Sequence, residues 1–263
     1  MTDKTAIGDR IKSYEAASTA RIAHKGQPLI ARLDGKAFHT FCKGLKRPFD
    51  ERLSEVMART MVKLVDFFCA NVGYTQSDEI TLAWYLETDA TGQYPFGGRF
   101  QKMDSLMAAC TTSWFTRMLP EWLPEKAEHS PVFDCRTFVV PSLMEAYNVF
   151  LWRQQDATKN AIAMAAQSMF SHNRLHGLHG GEMQELMFAE KGVNFNDYPA
   201  FFKRGVFAKR VQAERYLTVD QLEAIPEKYR PVGPVVRHFV DRMDLWLGKD
   251  RVGVDALFGG SGT

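Results

Sequence analysis

The chain has 263 residues, of which 45% are hydrophobic and 24% are charged, and its formal net charge is +2. This composition is typical of a folded protein with one large domain, or one domain with an extension, and no apolar run approaches the roughly 20 residues that span a membrane. Four cysteines without C-x-x-C spacing, and an N-terminus without a signal-peptide pattern, favour a reducing cytoplasm.

The first half of the chain alternates predicted strands and helices. Apolar residues at helical spacing follow Asp50, a plausible N-cap, so a long helix begins there. The predicted elements are a helix at 5–20 that packs as a lead-in, a strand at 28–33, the helix after Asp50, strands at 72–76 and 80–86, a helix at 100–119 and a strand at 137–140. This βαββαβ order predicts an α+β fold with a ferredoxin-like sheet.

The predicted topology brings two distant acidic residues together. Right-handed crossover makes the first two strands parallel, and the third strand lies between them and is antiparallel to both. The end of the first strand, at Asp34-Gly35, therefore lies beside the turn Ser77-Asp78-Glu79 that joins the second and third strands.

The second half of the chain is predicted to be mainly helical. Two helices are expected within 142–170 and another at 182–190, and Thr218-x-x-Gln221 resembles a capping box that opens a short helix. We therefore expect a catalytic core at 1–140, a mainly helical support region at 141–258, and a disordered tail at 259–263.

Converging carboxylates at the edge of a sheet suit a hard divalent cation. Mg²⁺ prefers oxygen ligands and keeps water and substrate phosphates in its remaining positions. Gly35, directly after Asp34, allows the backbone to approach a triphosphate closely. Each of the two segments, taken alone, is also typical of a simple polar turn.

Two further patterns have alternative interpretations. The run 201–210 alternates aromatic residues with the basic residues Lys203, Arg204, Lys209 and Arg210, which suits RNA, although the pattern alone favours a solvated strand edge above a core-facing Phe row. His172, His176 and His179 have a spacing that could suit zinc, although glycines interrupt any helix and no cysteine lies nearby.

Several motifs resemble the tRNA-His guanylyltransferase family and its Thg1-like relatives. Residues 32–41 resemble the family's R-x-D-G-x-x-F-H-x-F motif, and residues 73–79 resemble its G-x-Q-S-D-E motif. The likeness continues through 133–136, where Cys135 replaces a usual glycine, then through 152–156 and 192–199. Together the motifs cover roughly 5–235.

The resemblance implies a palm-like catalytic domain, akin to that of DNA polymerases, that works in the 3′-to-5′ direction on the 5′ end of tRNA. It implies that Asp34 and Asp78 hold two Mg²⁺ ions with the Gly35 carbonyl, and that Glu79 supports the catalytic site. The nucleotide-binding residues that it implies, for GTP or ATP, are Asp34, Gly35, Lys36, Ala37, Phe38, His39, Arg47, Ser77 and Asp78, with Arg99 and Lys102 on a second triphosphate. It also suggests a homotetramer.

The residues leave three functions in competition. The first is nucleotide addition to tRNA, the second is RNA binding by a non-catalytic RRM-like module, and the third is nucleotide cyclisation on the same palm. Within the first, Thr158 and Ala161 replace a histidine and an asparagine of eukaryotic relatives, which favours templated 5′-end repair over guanylate addition to tRNA-His. Lys159 and Asn160 remain for contacts with the RNA backbone.

Overall fold

A computed structural model describes residues 6–248 and 253–259 of the chain. Within these ranges ten α-helices and six β-strands alternate along the chain. The helices are α1 (Ala6–Thr19), α2 (Phe38–Phe41), α3 (Glu51–Phe67), α4 (Phe100–Trp122), α5 (Leu143–Gln167), α6 (His172–Leu175), α7 (Gly180–Lys191), α8 (Ala200–Arg204), α9 (Val219–Glu223) and α10 (Val254–Phe258). The strands are β1 (Leu29–Gly35), β2 (Val72–Gln76), β3 (Glu79–Trp84), β4 (Phe133–Val139), β5 (Val206–Arg215) and β6 (Val235–Met243).

The six strands form one sheet in the order β4-β1-β3-β2-β5-β6. Every neighbouring pair is antiparallel. The third strand lies between the first and the second, as the order of elements in the sequence predicted. The C-terminal ends of β1 and β2 therefore lie at the same edge of the sheet.

Alternating residues of β1 and β3 pack against different helices on the two faces of the sheet. Leu33 and Ile80 belong to a core that also contains residues of α3 and α4. Ile30 and Ala83 belong to a second core that contains Phe150 of α5. Because successive side chains of a strand point to opposite faces, each even-numbered position of β1 faces α5. The sheet is thus covered by helices on both sides.

Helix α3 begins where the sequence predicted it. The Asp50 carboxylate accepts a hydrogen bond from the Arg52 backbone amide at 3.0 Å, which satisfies one of the free donors of the first turn. The predicted apolar positions form the buried face of the helix, among them Met57, Met61 and Leu64, all at most 1% exposed.

The second half of the chain contains two strands besides its helices, and the sequence did not predict these strands. Strands β5 and β6 form a long hairpin and extend the sheet next to β2. Their hydrogen-bond partners lie on each other and on β2, and such pairing is decided by tertiary contacts more than by local sequence. In addition, a single helix, α5, replaces the two helices predicted within 142–170. The capping box at Thr218 is present and opens α9.

The first helix does not pack as the sequence suggested. None of the residues of α1 is buried, and Ile7 and Tyr14 are 66% and 62% exposed. In the described ranges, no helix is both long enough and apolar enough to cross a membrane. Of the tail predicted at 259–263, only Gly259 is described, and 260–263 lie outside the described residues.

Candidate active site

Two carboxylates from different parts of the chain meet at one edge of the sheet. Asp34, next to the end of β1, lies opposite Glu79, the first residue of β3. The Gly35 amide donates a hydrogen bond of 3.1 Å to the Asp78 carbonyl oxygen. Asp34, Asp78 and Glu79 all line one cavity of about 430 Å³, here called the carboxylate cavity. Its other lining residues are Arg32, Gln76, Ser77, Arg153, Asn160, Ala163, Met164 and Gln167.

A tight hairpin turn fixes the second carboxylate. Only Ser77 and Asp78 lie between the end of β2 and the start of β3, and such short turns need a positive φ at a central residue. Ser77 adopts φ 53°, and its hydroxyl donates to Asp78 Oδ1 at 3.0 Å. The Thr75 hydroxyl donates to the Glu79 carbonyl at 2.9 Å across the same turn. The Asp78 carboxylate is therefore oriented by its own turn.

The electrostatics of this edge favour a cation. Burial raises the pKa of Asp78 above its usual value, the nearby charge of Asp34 raises it further, and the Ser77 hydrogen bond opposes both effects. The Arg136 guanidinium lies 3.9 Å from Asp34, but both side chains are largely open to solvent. A positive ion between the two carboxylates would relieve their repulsion.

The donor set fits a hard divalent ion better than zinc. Across 6–248 and 253–259, no cluster of three or more His, Cys, Asp and Glu side chains could by itself hold a metal. Two carboxylates with a backbone carbonyl leave positions for water and phosphate, which is the usual environment of Mg²⁺. His179, one of the histidines considered for zinc, instead caps α7 in a capping box with Glu182.

Glu79 is held by two arginines rather than left free. The Arg153 Nε and Nη2 atoms donate to its two carboxylate oxygens at 2.6 and 2.5 Å. Arg32 Nη2 lies 2.8 Å from Glu79 Oε2. Burial raises the pKa of this carboxyl, and the two guanidinium groups oppose that change. Glu79 therefore joins β3 to β1 and to α5 beside Asp78.

A second cavity, of about 370 Å³, opens next to the first, and we call it the basic cavity. It shares Gln76, Ser77, Met164 and Gln167 with the carboxylate cavity. Its basic lining consists of His39, Lys43, Lys46 and Arg47, and its apolar lining includes the stacked rings of Phe49 and Phe202. This volume lies in the range of small-molecule sites. His39, Arg47 and Ser77, all predicted to bind a nucleotide, are thus brought together.

The turn from Gly35 to Phe38 corrects one part of that prediction. Phe38 is 3% exposed and its ring packs in the core, so only its backbone can face a nucleotide. A Cβ atom on Gly35 would lie 2.3 Å from that ring, which requires glycine there for a packing reason. Ala37 has φ 55°, and the Lys36 amide donates to the Val132 carbonyl at 2.9 Å. Lys36 itself is exposed.

Comparison with known proteins identifies the family. The family model described as tRNA-His guanylyltransferase, Thg1, matches residues 8–141. The chain belongs to the tRNA-His guanylyltransferase family. It is accordingly a nucleotidyltransferase.

Relatives match well beyond the family model. The tRNA(His) guanylyltransferase of Saccharomyces cerevisiae is 28% identical over 219 residues, which cover 76% of this chain and 90% of the yeast protein. A bacterial Thg1-like protein in complex with ATP is 39% identical, with a TM-score of 0.73 over 78% of this chain and 88% of that chain. A bacterial Thg1-like protein in complex with GTP is 32% identical, with a TM-score of 0.72 over 94% and 96%.

In this family member, Arg99 and Lys102 lie apart from the carboxylates. Both are exposed, Arg99 as the N-cap of α4 and Lys102 in its first turn, and neither lines the carboxylate cavity or the basic cavity. Thr112, further along α4, accepts a hydrogen bond from the Phe133 amide, which lies opposite Gly35. At 1.5 Å per residue, Lys102 is roughly 15 Å along the helix from that level.

The predicted RNA-binding residues divide into two groups. Lys159 and Asn160 are exposed on α5, and Asn160 lines the carboxylate cavity. Lys203 Nζ donates to the Asn196 carbonyl, and the Arg204 guanidinium lies over the Trp246 ring at 4.6 Å. These four are at least partly exposed.

Lys209 is a correction, because it is only 8% exposed and lies inside the protein. Its ammonium donates to the carbonyl oxygens of Asp255 and Ala256, at 3.3 and 2.9 Å, and burial lowers its pKa. Arg210 is half-buried, and its Nε atom has no hydrogen-bond partner within the described residues. In a strand, neighbouring side chains point to opposite faces, so a basic pair cannot present both residues to one RNA surface.

Sequence reasoning did not identify Arg153 and Arg32 as parts of the site. Arg153 is 8% exposed within a helix rich in Ala, Met and Leu, and a buried arginine needs a carboxylate partner. Its place in a helix that packs on the sheet therefore indicated that Arg153 pairs with a carboxylate of the sheet. Arg32 lies two positions before Asp34 on the same face of β1. The alternation of side chains along a strand would therefore have predicted that Arg32 lies near the carboxylates.

Proposed function

We propose that this chain adds nucleotides in the 3′-to-5′ direction to the 5′ end of tRNA, with Mg²⁺ at Asp34 and Asp78. The observation that carries the proposal is the junction of the carboxylate cavity with the basic cavity at Ser77. A triphosphate in the basic cavity would extend directly towards the two carboxylates. Chemistry between phosphates needs little more than this positioning and charge.

The metal site would consist of Asp34, Asp78 and the Gly35 carbonyl. Bound Mg²⁺ would supply charge neutralisation for the phosphates and activation of the attacking 3′-hydroxyl. Glu79 then acts as a positioning residue, because both of its oxygens are engaged by arginine. It holds the β2–β3 turn against α5 and so fixes the direction of Asp78.

One nucleotide would occupy the basic cavity. His39 and Arg47 line the cavity and can meet phosphates or the base edge. Arg99 and Lys102 hold a second triphosphate in this proposal. Because Lys102 lies roughly 15 Å along α4 from the level of Gly35, and Arg99 lies further still, that triphosphate is separate from the first.

Templated 5′-end repair is the form of the reaction that we propose over addition of one untemplated guanylate. The Thr158 hydroxyl lies 3.0 Å from the Gln154 carbonyl and 3.0 Å from the Lys203 carbonyl. Ala161 is fully buried. Neither position can therefore read a base. The incoming nucleotide is then selected by base pairing, and the RNA is held through its phosphate backbone by Lys159, Asn160, Lys203 and Arg204.

The strand order β4-β1-β3-β2 supports a ferredoxin-like, palm-type core for this chemistry. A homotetramer is proposed from the family resemblance. All four cysteines are free, which suits the proposed cytoplasmic location.

The deciding experiment uses 5′-labelled tRNA that lacks its first nucleotide, with Mg²⁺ and nucleoside triphosphates. We expect the labelled RNA to become longer by one nucleotide. A nucleotide cyclase would consume the triphosphate and leave the tRNA unchanged, and that result would overturn the proposal.

A further inference from the structure

Trp152 is an exposed aromatic side chain beside the proposed active site. It lies on α5, and 55% of its surface is open to solvent. Its neighbour Arg153 is buried and engaged with Glu79 in the carboxylate cavity. An indole this exposed adds little to the core, and tryptophan is enriched at binding interfaces.

The indole ring is held in a defined orientation. The Arg153 guanidinium carbon lies 4.5 Å from the centre of the Trp152 ring, in a cation–π contact. That guanidinium is itself fixed by Glu79 and lies 3.5 Å from Asp156. One side of the ring is therefore covered by an anchored cation, which prepares the remaining surface for a partner.

Helix geometry aligns Trp152 with a cation along the rim of the carboxylate cavity. Residues 152, 156, 159 and 163 follow helical spacing and share one strip of α5. Arg153, Asn160, Met164 and Gln167 form the next strip and line the cavity. Lys159 is exposed and lies about 10 Å along the helix from Trp152. A flat ring followed by a cation suits a nucleic-acid strand.

We propose that Trp152 stacks on the 5′-terminal base of the RNA substrate, with Lys159 on a neighbouring phosphate. This inference rests on the proposed function, since it assumes RNA with its 5′ end at Asp34 and Asp78. The ring is separated from Glu79 by a single guanidinium, so a base stacked there keeps its own 5′-phosphate near the carboxylate cavity. Stacking tolerates any base, which agrees with selection of the nucleotide by pairing.

The experiment uses the full-length protein and tRNA that lacks its first nucleotide, with 2-aminopurine as the new 5′-terminal base. Fluorescence anisotropy gives the Kd for the tRNA, and quenching of 2-aminopurine reports stacking. The variants are Trp152→Ala and Trp152→Phe. Met144→Ala is a matched control, because Met144 lies on the same helix and is also 55% exposed.

We expect Trp152→Ala to raise the Kd for tRNA about tenfold and to abolish the quenching. Trp152→Phe should restore most of the affinity, and Met144→Ala should stay within about twofold of the wild type. The affinity for GTP alone should not change, and the KM for tRNA should rise more than kcat falls.

Three results would overturn the inference. They are wild-type quenching in Trp152→Ala, an equal loss of affinity for GTP, or a changed sedimentation coefficient with unchanged tRNA affinity. The last result would assign the ring to a second copy of the chain. If the wild type binds tRNA in a Trp152-dependent manner but adds no nucleotide, only the proposed function fails.

Discussion

The Arg153 guanidinium and the Glu79 carboxylate form a buried, bidentate ion pair between residues that are 74 positions apart in the chain. The pair joins α5 to the first residue of β3, directly after Asp78. It therefore connects the helix that lines one side of the carboxylate cavity to the turn that carries a carboxylate. Stability and catalysis should both depend on this contact.

Arg153→Ala should lower the free energy of unfolding by more than about 2 kcal/mol, because the buried Glu79 charge keeps only Arg32 as its partner. Urea denaturation measures this difference. Arg174→Ala is the control, since the Arg174–Glu190 pair is exposed and should contribute about 0–1 kcal/mol. Equal losses in the two variants would contradict the importance of the buried pair.

Asp34→Ala and Asp78→Ala should each abolish nucleotide addition and leave the fold intact. Each change removes a charged oxygen ligand, and the phosphates lose their main source of charge neutralisation. Single-turnover addition to labelled tRNA, with circular dichroism of each variant, measures the effect. Asp66→Ala, at an exposed carboxylate of α3, should retain wild-type activity. Near-normal turnover of either active-site variant would remove these residues from the mechanism.

Arg99→Ala and Lys102→Ala should impair one step more than the other. If these residues hold the activating nucleotide, activation of the 5′-monophosphate falls and addition to tRNA with a 5′-triphosphate is preserved. Parallel assays on the two RNAs separate the steps. Small, equal effects on both would mean that the two residues are only surface charges.

The base opposite the missing 5′ nucleotide of the tRNA should determine which nucleotide is added. We expect two tRNAs that lack their first nucleotide, and differ only in the opposing base, to receive different nucleotides according to Watson–Crick pairing. The physical reason is that Thr158 and Ala161 make no contact that could read a base. Sequencing of the extended 5′ ends gives the answer, and guanylate on both RNAs would exclude templated repair.

Asp50 should make stability depend on pH in the acid range. The hydrogen bond from the Arg52 side chain holds the pKa of Asp50 below its usual value near 3.9. Its stabilisation is therefore complete above the usual value and is lost as the pH falls through the lowered one. Asp50→Asn keeps a capping side chain but loses the charge, so its deficit should be constant above about pH 5 and shrink at lower pH. Urea denaturation from pH 3 to 7 tests this, and a deficit that is as large at about pH 3 as at pH 7 would contradict it.

Local patterns of sequence predicted the elements that surround the carboxylates. Helix α3 begins after Asp50 because the Asp50 side chain accepts a hydrogen bond from the free Arg52 amide, which is a short-range effect. The order of strands and helices was enough to predict that β3 lies between β1 and β2, since crossover handedness leaves few arrangements. That order also predicted that Asp34 lies near Asp78.

Other features depended on contacts between distant residues. The β5–β6 hairpin forms because each strand finds its partner in the other and in β2, and no local signal in 206–215 requires it. The sequence predicts Lys209 as a surface cation, yet its ammonium is buried and donates hydrogen bonds to carbonyl oxygens of α10. Phe38 belongs to a motif that was predicted to bind a nucleotide, yet its ring packs in the core beside Gly35.

The sequence by itself determined the family, the position of β3 between β1 and β2, and the approach of Asp34 to Asp78, because these follow from local motifs and from the handedness of short connections. Tertiary structure alone decided that Glu79 is held by Arg153 and Arg32, and that the carboxylate cavity and the basic cavity share lining residues. The reason is that an ion pair or a cavity wall forms between side chains that are far apart in the chain, and only the packing of α5 on the sheet sets their separation.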